Sequence, residues 1–196
     1  MMRNKLKVVV TGGPGGGKTT ALDLFRRELG DQIAVVPEAA TVLFSGGVTR
    51  SDDIAVIKTI QKTIFQLQKN LEDINKAHFP DRLLVCDRGS LDGLAYWPGT
   101  ESDFFNEVNS TFEEEIARYD AVIFFESAGA KGRDISSNNP VRNESSEQAA
   151  QLDIALQKIW SQHPNFYFVG SSESFVRKIM FGIMTIENVI NQYQRE

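Results

Sequence analysis

Five short apolar runs punctuate the chain, and longer stretches with helical spacing separate them. Lys5 to Val10 reads as a strand buried on both faces, Ile33 to Val36 and Leu83 to Cys86 as short apolar strands, Ala121 to Phe125 as a fourth, buried strand and Asn165 to Val169 as a fifth. Between them, Thr19 to Leu29 reads as a helix closed by Gly30, and Ala39 to Phe44 as a short one broken at Ser45-Gly46-Gly47. Ser51 to Ala77 is the longest helical pattern. Ser51-Asp52-Asp53 caps it, and Ile54, Ile57, Ile60, Ile64, Leu67, Leu71 and Ile74 form its apolar face. Ser102 to Tyr119 reads as one acidic helix presenting Phe104, Phe105, Val108, Phe112 and Ile116. Glu147 to Trp160 and Ser174 to Tyr193 complete the set, while Glu126 to Ser146 is polar and aperiodic. A loop of that length in a compact domain is functional or unstructured.

Strands alternating with helices predict an α/β fold, a parallel sheet with helices on both faces, in a single domain over the 196 residues. In such sheets the ligand lies at the carboxyl ends of the strands. The polar residues that end the apolar runs, Glu38, Asp87-Arg88 and Ser127, are therefore expected to gather there.

The first strand leads into Thr11-Gly12-Gly13-Pro14-Gly15-Gly16-Gly17-Lys18-Thr19-Thr20, which contains the full pattern Gly-x-x-x-x-Gly-Lys-Thr in a strand–turn–helix setting. Glycines let successive backbone N–H groups turn inward on phosphate oxygens, and the following helix adds its own unpaired N–H groups. Lys18 is placed to reach the β- and γ-phosphates, and the Thr19 hydroxyl to ligate Mg²⁺. The expected ligand is ATP or GTP with Mg²⁺, cradled by Gly12 to Thr20.

A second set of residues has more than one reading. Asp87, ending the third strand, is either a second Mg²⁺ ligand or a cap of the next turn. Arg88 either points into the same cleft or forms a surface ion pair. Glu38 is a general base for an attacking hydroxyl, a ligand of a substrate sugar, or a helix cap. In the polar loop, a lid-like segment around residues 127–146, Lys131, Arg133 and Arg142 carry the positive charge that phosphoryl transfer calls for, or merely solvate the loop. Arg133 and Arg142 are the preferred pair. Tyr96-Trp97-Pro98 is a packed turn or the wall of an acceptor pocket, and Gly170-Ser171-Ser172 lies where topology would rest a nucleotide base.

Composition narrows the field. A formal charge of −5 argues against a general nucleic-acid-binding surface. Cys86 is the only cysteine, inside an apolar run, so it forms no internal disulfide and reads as a core residue. His78 and His163 stand apart, each beside a predicted helix end, without metal-ligand spacing. No apolar stretch approaches the roughly 20 residues that cross a bilayer, and no signal peptide is visible, so a cytoplasmic location is expected.

Taken together, these motifs resemble the P-loop kinase group, and within it the AAA-domain family of small ATP-binding proteins that includes the nicotinamide riboside kinase domain. The likeness rests on Thr11 to Thr19, Val36-Pro37-Glu38-Ala39-Ala40, Asp87-Arg88-Gly89, and Arg142-x-Glu144 before a helix. It implies a three-layer fold with strand order 2-3-1-4-5 and a mobile lid. It also implies that Glu38 meets a phosphate acceptor and that Asp87-Arg88 is the acid–arginine pair at the end of the third strand. Tyr96 to Phe105 matches no acceptor-specific motif. A kinase acting on a nucleoside- or nucleotide-like metabolite is the first expectation, and a nucleotide-driven switch acting through protein partners is the second.

Overall fold

Each apolar run becomes a strand: β1 (Lys7–Thr11), β2 (Ile33–Val36), β3 (Leu83–Asp87), β4 (Ala121–Phe125) and β5 (Phe166–Val169). The computed structural model describes residues 6–127, 146–171 and 174–194. All four strand pairings are parallel, in the order β2-β3-β1-β4-β5, as the family likeness implied. Val10 lies beside Asp87 on one side and Ile123 on the other, so the ends of three strands stand level.

The helices are α1 (Lys18–Leu29), α2 (Ala39–Ser45), α3 (Ile54–His78), α4 (Glu101–Val108), α5 (Phe112–Ile116), α6 (Ser146–Trp160) and α7 (Phe175–Gln194). Alternation along the strands builds two cores. Val8, Val10, Val85, Ile123 and Phe125 face α1 and α7, meeting Phe25, Leu22, Ile179 and Ile186. Val9, Leu84, Cys86, Val122 and Phe124 face the other layer, meeting Phe65, Leu91, Phe104, Leu156 and Trp160. Each such side chain, fully buried, contributes roughly 1.5–3 kcal/mol. Cys86 is a core residue as expected, and burial, with Glu72 adding to it, pushes its thiol well above the usual range.

Two expectations about helices need correction. The acidic stretch 102–119 is two helices. Asn109 takes a left-handed conformation (φ 50°) that ends α4, and Thr111 starts α5 in a reciprocal cap with Glu114. In α3, Asp53 caps the helix as read, accepting from the Ala55 and Val56 N–H groups. Of the isoleucine and leucine line Ile60 is buried and Leu71 packs on the core, but the most buried line, Gln61, Phe65, Gln68 and Glu72, is displaced from it by one position. One residue is about 100° of helical rotation. Ile54 and Ile74 are consequently exposed.

The polar line is held by a network. Glu72, completely buried, accepts from Lys7 (2.7 Å), Arg118 (2.7 Å), the Tyr119 hydroxyl (2.8 Å) and Gln68 (3.1 Å). His163 is structural: Nε2 bonds the Tyr119 carbonyl, and Nδ1 accepts from the Asn165 N–H. His78 lies in the last turn of α3 and meets Phe79 edge-on.

Candidate active site

The loop between β1 and α1 is shaped by what passes beside it. Gly12 has φ 131°, and a Cβ there would stand 2.1 Å from the Phe125 carbonyl oxygen on β4. Gly17, at φ 86°, turns the chain into α1, whose first N–H groups open onto the loop. Lys18 is 3% exposed, and its Nζ donates to the Gly12 and Gly13 carbonyls, both at 2.7 Å. Thr19 and Thr20 are exposed on the first turn of α1. Asp153, from α6, accepts from the Gly13 N–H (2.7 Å) and the Ser127 N–H (3.1 Å), tying the loop to the end of β4. Burial pushes the Asp153 carboxyl up, against those two hydrogen bonds and the nearby Lys18.

Arg88 is no surface residue. It is 7% exposed and adopts a left-handed backbone (φ 68°), a conformation of order 1–3 kcal/mol uphill for a side-chain-bearing residue. Its Nε donates to Glu38 Oε1 (2.6 Å) and its Nη1 to Asp92 Oδ2 (2.8 Å), with a long contact to the Gly12 carbonyl (3.4 Å). Burial alone would lower the guanidinium's affinity for its proton, but Tyr96, Glu38 and Asp92 outweigh it and keep the group charged. Gly89 has room for no side chain, because a Cβ would meet the Trp160 ring at 2.7 Å.

Asp92 completes the knot. It lies in a short 3-10 helix, Ser90–Tyr96, and accepts from the Thr11 hydroxyl (2.8 Å), Arg88, the Trp160 indole (2.8 Å) and the Gly89 N–H (3.3 Å). Glu38 Oε2 accepts from the Thr41 hydroxyl at 2.5 Å, inside α2. Thus Glu38, Arg88 and Ser127 do gather around the loop. Asp87 ends β3 two residues beyond Val85, so alternation directs it to the α1 side of the sheet, where Thr19 also lies. An acid and a hydroxyl are hard oxygen donors suited to Mg²⁺, which takes few protein ligands alongside nucleotide phosphates. Among the described residues no cluster of three His, Cys, Asp or Glu offers a closed metal cage.

Beside the loop a cavity opens between α2, α3 and the 3-10 helix. Pro14, Glu38 and Arg88 wall one end, and Phe44, Gln61 and Tyr96 belong to both this cavity and the wider groove leading out of it. Arg50 stacks on Phe44 at that mouth, 4.6 Å from the ring centre. The two readings of Tyr96-Trp97-Pro98 divide between neighbours: Tyr96 lines the cavity, while Trp97 is buried against Phe104 and donates to Asp103. At the end of β5, Gly170 and Ser171 border a shallow groove with Arg177 and Lys178, and Ser171 N–H donates to Glu126.

Arg133 and Arg142 lie outside the described residues, as do Lys131 and Ser172. Asp92, Asp153 and Gln61 escaped the reading of the sequence. Asp153 had left a trace, since it shares a helical line with Ala149, Leu156 and Trp160, where an apolar residue is expected. Asp92 left none beyond an ordinary turn composition.

A family model described as an AAA domain matches residues 7–178. No curated protein matches the chain.

Proposed function

The chain belongs to the AAA-domain family, a P-loop nucleotide-binding fold, and from that premise we propose that it is a small-molecule kinase. It would transfer the γ-phosphate of Mg²⁺-ATP to a nucleoside- or nucleotide-like metabolite. One observation carries this reading: a second cavity adjoins the phosphate loop at Pro14 and is walled there by Glu38 and Arg88. A protein that only hydrolyses nucleotide needs water at that position, not a built pocket with aromatic walls.

In this reading Gly12 to Thr20 hold the phosphates and Lys18 exchanges its carbonyl partners for the β- and γ-oxygens. Thr19 and Asp87 would hold Mg²⁺, whose charge offsets that building on the transferring group. Glu38 receives the acceptor's hydroxyl as base or as orienting group. Arg88 acts through Glu38, fixing its carboxylate at the cavity wall, and so is a positioning residue. Arg133 and Arg142 are assigned to the far side of the γ-phosphate. Positioning and charge would supply most of the rate. GTP is a second candidate donor.

The rival is a nucleotide-driven switch. It draws support from an exposed apolar line on α7, Val176, Met180 and Met184, of the kind that meets a protein partner. Incubation with Mg²⁺-ATP and a panel of nucleosides, nucleotides and nicotinamide riboside, read by mass spectrometry for a gain of phosphate, separates the two. A phosphorylated compound supports the kinase. Tight nucleotide binding with no product favours the switch. In the kinase, Glu38→Gln should keep ATP affinity within about threefold and lower transfer by at least about 100-fold. Collapse of ATP affinity instead would move Glu38 to the donor side.

A further inference from the structure

The inward line of α3 carries three polar side chains, and two of them are satisfied within the protein. Gln68 donates to Glu72 (3.1 Å) and to the Arg88 carbonyl (3.2 Å), and Glu72 accepts from the four partners named above. Gln61 differs. It is nine-tenths buried, yet its carboxamide makes no hydrogen bond to any described residue, and it lines the cavity. The amide opens onto the cavity rather than being sealed in the core, so its donor face and its acceptor face are both available to a ligand there. Its oxygen lies toward Gly93, at the cavity wall opposite α3.

We propose that Gln61 is the specificity residue of the acceptor site, and that it reads a ring presenting a hydrogen-bond donor beside an acceptor. That is the chemistry of an amide-like edge: a nucleobase lactam, or a carboxamide on a pyridine-type ring. The proposal deepens the kinase reading and takes from it which end of the cavity faces the phosphate. Gln68 bonds the Arg88 main-chain carbonyl, and Gln61 lies two helical turns, about 10 Å, before it along α3. A ring and its ribose together are long enough to reach from Gln61 toward the Glu38–Arg88 wall of the same cavity. Phe44, Phe65 and Tyr96 line the same cavity and offer apolar faces to a flat ring. The acceptor is therefore a riboside with its hydroxyl at Glu38 and its polar ring edge at Gln61.

The test is calorimetric binding of uridine, inosine, nicotinamide riboside and purine riboside to the full chain carrying Mg²⁺ and a non-hydrolysable ATP analogue. Purine riboside has ring acceptors but no donor beside them. At least one of the first three should bind about 100-fold more tightly than purine riboside, and Gln61→Leu should shrink that gap to about threefold while ATP-analogue affinity holds. Uridine and inosine against nicotinamide riboside tells a base lactam from a ring carboxamide. The proposal is overturned if the ATP analogue binds but none of the ribosides does. It fails equally if purine riboside binds as well as the rest, or if Gln61→Leu leaves the discrimination intact. Binding that depends on Gln61, with no gain of phosphate when Mg²⁺-ATP replaces the analogue, would overturn the kinase reading and leave this one standing. Phosphate gain with affinity indifferent to Gln61 would do the reverse.

Discussion

Replacing Asp92 by asparagine isolates the charge knot behind the phosphate loop while keeping side-chain size and shape. Every hydrogen bond at the Asp92 carboxylate is one it accepts. Oδ2 receives the Thr11 hydroxyl and Arg88 Nη1, and Oδ1 receives the Trp160 indole and the Gly89 N–H. An asparagine must turn its NH₂ toward one of these pairs, setting donor against donor whichever way the amide faces. The Thr11 hydroxyl can rotate away, but Arg88, the indole and the backbone N–H cannot. Leaving one or two buried donors unmet costs about 2–4 kcal/mol, taking about 2 for each, the middle of the usual range. The variant also leaves the buried Arg88 guanidinium with Glu38 as its sole ion-pair partner in the knot. For a chain of this length, that corresponds to a fall in Tm of roughly 5–15 °C. Asp92→Ala, which removes all four acceptances, should fall further. Thermal unfolding followed by circular dichroism, with calorimetry to check two-state behaviour, measures both. A Tm for Asp92→Asn within about 2 °C of the parent would refute the reasoning, since the knot would then carry no net stabilisation.

Two further outcomes are expected. Lys18→Ala should weaken nucleotide binding or turnover at least about tenfold, the loss of charge-assisted bonds to phosphate being about 1.5–3 kcal/mol, and an unchanged titration would remove the loop from the mechanism. At Glu115, burial opposes ionisation, but hydrogen bonds from Ser90, Ser110 and Lys69 prevail and hold the carboxyl below its ordinary 4.5. A depressed carboxylate stabilises fully above the unfolded value and loses that contribution as pH falls through the folded one. Glu115→Gln should thus flatten the loss of stability below about pH 4.5 in acid titrations, and an acid limb as steep as the parent's would contradict this assignment.

The sheet was legible because its inner strands β1, β3 and β4 are buried on both faces and so carry unbroken apolar runs, and the edge strand β5, with Phe168 exposed, is still an apolar run bounded by turn residues. The loop was legible because glycine spacing and a following lysine report directly on backbone shape. What stayed hidden is instructive. In α3 the leucine and isoleucine line is packed only in part, at Ile60 and Leu71, because the helix also turns a polar line, Gln61, Gln68 and Glu72, inward to the core and the cavity. Periodicity finds the face that dislikes water; it does not find a polar face that is fully partnered, as Glu72 is by Lys7, Arg118 and Tyr119. Asn109-Ser110-Thr111 with Glu114 was a readable stop and restart, masked by phenylalanines that keep helical spacing across the break. Arg88 was placed correctly at a strand end, yet no sequence pattern announces that two acids, 50 residues before it and four after it, will bury it.

That burial decides how charge can be distributed in the proposed reaction. Arg88 is paired on both sides, Glu38 and Asp92 each taking one face of its guanidinium, so the three together carry a net negative charge. Swinging the arginine onto a phosphate would strip two buried carboxylates of their partner and undo a left-handed backbone turn that those bonds help to hold. The neutralising charge must come from groups that can reach phosphate more cheaply. Lys18 qualifies, because its present partners are loop carbonyls at the phosphate site itself, and a nucleotide merely replaces them. One lysine and a divalent ion still leave the far face of the γ-phosphate uncovered, and that is the position for which arginines of the 127–146 segment are proposed. Substituting Arg133 or Arg142 should then slow transfer without touching Tm, whereas Arg88→Ala should lower Tm first and transfer as a consequence. Equal effects on Tm from all three would dissolve the distinction between strut and charge donor.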